Sequence, residues 1–314
     1  MNNPLTAWQR NPVIVNELRS RMRGRRTYFI LAAHLFLLSA LAFVIYLTVY
    51  EQTQAYNYYG YYGGGFQQKL EASSTLGKSI FYGTIFLLLF IVSLVGPAFS
   101  SGAIVSEKDR QTYDLLVITA LSAREIVMGK LNAILVFMGL LILATLPFQG
   151  MAYFFGGVAF GEVLVATLVL LLTALLFCSL GLFVSSFARS TTIANMINYA
   201  IIAPLLLGIP LFVFLVGVLS SGVFFDRLFS NPPLVLAVPL SYGILFFLSI
   251  NPLSMAVTSE MFIQETGSYF FSVERFFDYQ IPIIAPWLVY AVFCLVVSYI
   301  FIRAAVRRVD KVNK

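Results

Sequence analysis

The sequence predicts an all-α polytopic membrane protein: a single domain over residues 1–314 with six transmembrane helices, an N-terminal interfacial helix and a re-entrant hairpin before the last helix. Three observations predict it. Hydrophobic residues make up 60% of the chain and charged residues only 11%, against about 25% charged in soluble domains, so too few polar side chains remain to cover a water-facing surface. Six apolar runs reach the length of about 20 residues that an α-helix needs to cross about 30 Å of hydrocarbon, where backbone polar groups must be satisfied internally. Finally, basic residues flank these runs. A net charge of +6 would suggest nucleic acid in a soluble chain, but this placement is a topology signal.

The first element is Arg10 to Arg26, RNPVIVNELRSRMRGRR. Asn11 offers a helix cap and Pro12 suits the first helical position. Ile14, Leu18 and Met22 recur every four residues, while Arg19, Arg21, Arg23, Arg25 and Arg26 crowd the other faces. That pattern predicts an amphipathic helix over 10–26 on the inner leaflet, its arginines among anionic headgroups.

The first crossing follows at Tyr28 to Tyr50. Ala40-Leu41-Ala42 resembles a signal-cleavage site, but the apolar run continues unbroken to Val49, so an uncleaved helix is expected. His34, the single histidine, has no acidic residue at comparable depth and reads as a neutral helix-contact residue. The loop after it, Tyr56 to Phe66, holds five tyrosines and four glycines, rings suited to the headgroup region. EASSTLGKS, residues 71–79, approaches the spelling of a phosphate-binding loop. No strand precedes it and no apolar run ending in acids follows, so it reads as part of the outer loop, with Lys78 an interfacial anchor for the second crossing, Ile80 to Ser101.

Ser106 to Lys130 carries eight charges, four of each sign, in a chain otherwise sparing of charge. Leu115, Leu116 and Ile118 stand among these charges. Ser122 and Glu125 have the spacing of a capping box, in which hydroxyl and carboxylate each satisfy an open backbone N–H, and the third crossing, Ile126 to Phe155, is expected to start there. The reading is a stiff amphipathic elbow between two spanning helices.

Gly157 and Gly161 bracket a short turn before the fourth crossing, Val163 to Phe187, which Glu162 starts as an interface residue. The fifth crossing is Ile193 to Leu219 and the last Ile284 to Ile302. Cys178 and Cys294 fall inside apolar runs, a packing placement with neither disulfide nor metal-ligand spacing. A further run, Leu234 to Ile250, contains Pro239 and Gly243 and closes on Asn251-Pro252. Counting it as a seventh crossing would place Arg303, Arg307, Arg308, Lys311 and Lys314 outside, whereas six crossings with both termini cytoplasmic put sixteen of the twenty Lys and Arg inside, in keeping with positive-inside retention. Residues 234–263 are therefore expected to form a re-entrant or outer hairpin. Glu260, Glu265, Glu274 and Asp278 then read as an ordinary polar outer loop.

The charged elbow resembles the ABC-2 type permeases, membrane subunits of ATP-binding-cassette exporters. Glu107-Lys108-Asp109, Thr112, Asp114, Leu115-Leu116, Leu121-Ser122, Glu125-Ile126 and Gly129-Lys130 follow the order and spacing of that family's loop after its second helix, with departures at Gln111 and Ala120. Asn251-Pro252-Leu253 is similar to the family's Asn/Ser-Pro-Leu signature.

This resemblance implies a half-sized membrane domain that dimerises with a second permease copy or a related permease, each docked to an ABC ATP-binding subunit. The loop 106–125 would be the cytoplasmic coupling loop. Within it Glu107, Lys108, Asp109, Arg110, Thr112, Asp114, Leu115 and Leu116 would contact the partner, and Ser122, Arg124 and Glu125 would stiffen the junction to the third crossing. It further implies no cofactor in this chain, ATP and Mg²⁺ in the partner, a plasma (inner) membrane location and export of a substrate whose chemistry the residues leave open. The chain is expected to be a transporter subunit and not an enzyme, and its one histidine, deep in the first crossing, leaves no serine-histidine-acid set. Two other functions compete: a membrane scaffold recruiting a cytoplasmic protein, and an ion-coupled carrier, which the scarcity of intramembrane charge disfavours.

Overall fold

The computed structural model describes residues 24–59, 65–109, 122–212, 215, 234–276 and 279–312. The expected interfacial helix, with Ile14, Leu18, Arg19, Arg21 and Met22, lies outside the described residues except for its last positions. The chain forms α1 (Arg25–Tyr59), α2 (Gly65–Ser101), α3 (Val105–Asp109), α4 (Ala123–Phe154), α5 (Phe160–Phe187), α6 (Thr191–Ala203, continued by a π turn over Pro204–Gly208), α7 (Leu234–Ile250), α8 (Pro252–Thr266), strands β1 (Phe271–Phe276) and β2 (Tyr279–Ile284), and α9 (Pro286–Val312). Among the described residues six helices are long and apolar enough to cross a membrane, matching the six predicted runs.

Helix α5 is the axis of the bundle, packing on α2, α4 and α9. Its sequence is apolar on every side, as a helix surrounded by others requires. Leu170, Ala174, Cys178 and Leu182 join one buried cluster with α2 and α4, while Val169, Phe177, Leu180 and Val184 join a second with α8, β2 and α9. Helix α1 lies at the periphery against α2 and α4, exposing Phe29, Phe36 and Phe43 and burying His34 beside Leu141 of α4.

The stretch EASSTLGKS is helical within α2, not the loop expected of it. Glu71, Ala72, Leu76 and Lys78 are good helix formers, and Gly77 serves close packing: a Cβ there would meet the Ala152 carbonyl oxygen at 2.7 Å. On the facing turn a Cβ at Gly157 would lie 2.3 Å from the Ser74 carbonyl oxygen. The two glycines let the turn between α4 and α5 press onto the α2 backbone.

Residues 234–263 form two helices meeting at Asn251. At 17 residues α7 is short for a full crossing. Asn251 caps α8, its Oδ1 accepting from the N–H groups of Leu253 (2.7 Å) and Ser254 (3.0 Å), with Pro252 at the first helical position. Its amide group donates to the carbonyls of Leu205 and Leu206 in the π turn that begins at Pro204. Proline cannot continue an α-helical hydrogen-bond ladder, and one buried asparagine thus joins the irregular turn to a helix start 46 residues away.

Glu260 and Glu265 belong to α8 rather than to the polar loop expected there, because the Asn251 cap and the left-handed Gly267 at the other end (φ 66°) delimit a helix across them. After it comes an antiparallel hairpin pairing Phe271 with Ile284 and Phe276 with Tyr279. The sequence reading expects no strand here. Strand β2 alternates, with Ile281 and Ile283 buried and Gln280 and Ile284 exposed, the period of a strand covered on one face.

Candidate functional site

The predicted elbow emerges at the end of the bundle formed by the C-terminal ends of α2 and α5 and the N-terminal ends of α4 and α6. Residues 110–121, with Arg110, Thr112, Asp114, Leu115 and Leu116, lie outside the described residues. Both of its anchors are described.

The leading anchor is α3, one short turn held by side chains from three other helices. Ser185 Oγ accepts from the backbone N–H groups of Ile104 (2.9 Å) and Val105 (3.1 Å), satisfying donors that the first turn of a helix leaves open. Lys108 Nζ donates to the Ser186 carbonyl at 2.9 Å, near the C-terminal end of α5 where a cation is favoured. Asp109 Oδ2 accepts from Thr191 Oγ1 at 3.0 Å and from the Thr191 N–H at 3.4 Å, placing a carboxylate at the positive end of α6. Glu107 Oε1 lies 2.5 Å from Lys130 Nζ. Three successive charged residues are therefore tied to α4, α5 and α6 in turn. Ser101 of α2 adds a hydroxyl hydrogen bond to Asn195 of α6.

Lys130, named in the sequence only as part of the Gly129-Lys130 step, has a partner that the sequence did not foretell. It is 1% exposed, and its Glu107 partner 22%, so the pair is held where neither charge has free access to water. The signal was the Gly129-Lys130 step, a charge set against the apolar run of α4. A cation there needs a nearby anion, and Glu107 stands 23 residues back.

The trailing anchor is the capping box predicted from spacing. Ser122 Oγ accepts from the Glu125 N–H at 3.3 Å, and Glu125 Oε2 accepts from the Ser122 N–H at 2.8 Å. The Ser122 hydroxyl also donates to the same carboxylate oxygen at 2.8 Å. Arg124 is exposed at this first turn of α4. Of the sequence-predicted residues, Glu107, Lys108, Asp109, Ser122 and Glu125 thus converge on the two roots of one loop.

The residues on either side of 110–121 are thus held by polar bonds, Asp109 to Thr191 of α6 and Ser122 to Glu125 of α4.

Compared with known families, the sequence matches the one described as ABC-2 family transporter protein over residues 12–306. No curated protein matches the chain.

Proposed function

Because the chain belongs to the ABC-2 family of transporter proteins and is a membrane permease of that class, we propose that it is the permease subunit of an exporter driven by ATP hydrolysed in a separate ABC ATP-binding subunit. ATP and Mg²⁺ reside in that partner, and this chain contributes the transport path. It works alongside a second copy of itself or a related permease, in the plasma (inner) membrane, with both termini and the loop 106–125 cytoplasmic.

The observation that carries this reading is the attachment of α3 to the ends of α4, α5 and α6. Glu107, Lys108 and Asp109 make intramolecular bonds, so direct docking contacts fall to Arg110, Thr112, Asp114, Leu115 and Leu116. The three preceding residues transmit, while Ser122, Arg124 and Glu125 brace the far root. Closure of the ATP-binding subunits pushes the loop, and the bundle is driven between two arrangements that the partner's nucleotide states bind unequally.

The test is purification of the tagged full-length chain from its native membrane in mild detergent, beside the variant Asp114→Lys/Leu116→Asp. The expected result is a stoichiometric ATP-binding companion with the natural chain and its loss from the variant at equal membrane abundance. Absence of a nucleotide-binding companion, or its full retention by the variant, would overturn the reading.

A further inference from the structure

At the opposite end of the bundle a cavity of about 310 Å³ lies between α2, α5, α8 and the start of α9. Most of its wall is apolar, with Phe81, Ile85, Val169 and Met255 among its residues. Its polar groups are Tyr82, Glu162, Ser259, Glu260 and Gln264. Tyr82 donates its hydroxyl to Glu260, and the Gln264 amide donates to both Tyr82 Oη and Glu260 Oε1 at 2.8 Å. These bonds fix one oxygen of the Glu260 carboxylate.

The polar groups leave two needs unmet. Among the described residues neither Glu162 nor Glu260 has a lysine or arginine within ion-pair distance, and Lys78 acts on Glu162 only from farther away. Ser259 is only 5% exposed, lines the cavity, and its Oγ has no hydrogen-bond partner among the described residues. A helical serine ordinarily turns its hydroxyl onto a carbonyl of the preceding turn, so a buried hydroxyl left unbonded is costly. The negative field extends to Tyr269, whose phenol pKa is raised first by burial and then by the charges of Glu162 and Glu260. Tyr269 covers this end closely: a Cβ at Gly161 would meet its ring at 2.6 Å.

We propose that this cavity binds an amphipathic cation, with an aliphatic or aromatic body against the apolar wall and a protonated amine between Glu162, Glu260 and Ser259. The assignment names the substrate class for the transport role proposed above and rests on that role, although binding itself requires only this chain. A protonated amine supplies what the site lacks: positive charge for two carboxylates and an N–H donor for the serine oxygen. An anionic or zwitterionic lipid headgroup would bring its phosphate against the same carboxylates, and a neutral chain would leave them uncompensated.

The chain has two tryptophans, Trp8 and Trp287, and Trp287 lines the cavity. In a Trp8→Phe background, the full-length chain in phosphatidylcholine nanodiscs is titrated with dodecylammonium, dodecanol or dodecanoate while tryptophan emission is followed. A saturable change is expected with dodecylammonium alone. Glu162→Gln/Glu260→Gln should weaken it by about tenfold or more, since charge-assisted hydrogen bonds exceed neutral ones by that order. Ala166→Phe, which fills the cavity and spares both carboxylates, should abolish it in a variant that stays monodisperse. Equal responses to dodecanol, preference for dodecanoate, or unchanged binding in the double glutamine variant would overturn the assignment. Loss of this binding beside an intact ATP-binding companion refutes the cation site alone, whereas binding without any such companion refutes the transport role and leaves the site standing.

Discussion

Lys130 and Glu107 approach to 2.5 Å across 23 residues of sequence, joining the third spanning helix to the turn from which the charged loop departs. Lys130 is almost fully buried. Removing either partner strands the other charge, at a cost of roughly 3 kcal/mol, the lower part of the range for buried pairs because Glu107 keeps some exposure. Lys130→Met and Glu107→Gln should each lower the thermal midpoint in detergent. The double variant Lys130→Met/Glu107→Leu should recover most of that loss, as measured in a double-mutant cycle.

Asn251 is predicted to tolerate no substitute. Asn251→Ala removes the cap of α8, worth about 1 kcal/mol, together with a donor to two buried carbonyls, for a combined loss of roughly 2–3 kcal/mol. Asn251→Asp retains the cap acceptor but turns an anion onto the Leu205 and Leu206 carbonyls, and should be the more damaging of the two. Unfolding midpoints of the two variants rank them directly.

Gly157 and Gly139 provide a matched pair. A methyl at Gly157 meets backbone atoms of Ser74 and Lys78 at 2.3 and 2.6 Å, while one at Gly139 meets nothing within 4 Å among the described residues. Gly157→Ala should destabilise by about 1–3 kcal/mol through overpacking. Gly139→Ala in mid-helix α4 should instead stabilise by about 0.5–1 kcal/mol. The comparison is read from melting curves of the two purified proteins.

Ser122→Ala should loosen the first turn of α4 by about 1 kcal/mol, seen as faster amide exchange at Glu125 and Ile126. Ser122→Asp, which keeps an acceptor at the cap but faces Glu125, should recover only part of that protection.

Orientation is open to a labelling test. Both natural cysteines, Cys178 and Cys294, are buried, so a cysteine introduced at Asp114 supplies the accessible thiol for a charged maleimide. Modification is expected only after the membrane is permeabilised. Labelling in intact cells would place the loop on the outside and remove the basis for docking to an ATP-binding subunit.

Some of these features are visible in the chain as written, and others are not. The six spans follow from run length and composition, and the Ser122–Glu125 box from a three-residue spacing, because both depend on interactions within one helix or between one helix and its solvent. Asn251-Pro252 reads in the sequence as the close of the apolar run 234–250 and as a family signature, and only the structure makes Asn251 the cap of α8. That Asn251 also serves the Leu205 and Leu206 carbonyls is invisible at that range, since the π turn lies on another element.

The hairpin at 271–284 and the cavity beside it were the least legible. Glu274, Arg275 and Pro282 carry the composition of a loop, and only the packing of Ile281 and Ile283 into the core makes two strands out of it. Glu260 reads as solvated until α8 sets it against Tyr82 of α2, 178 residues earlier.

Residue order alone specified a membrane-embedded helical bundle and its local caps, because hydrophobic length and capping energy are properties of short stretches. The partners of Lys130, Asn251 and Glu260 were settled by folding. Each pairs polar groups far apart in sequence, and which pair forms depends on how the apolar faces of α2, α4, α5 and α8 pack, for a buried polar group must bond to whatever that packing brings beside it.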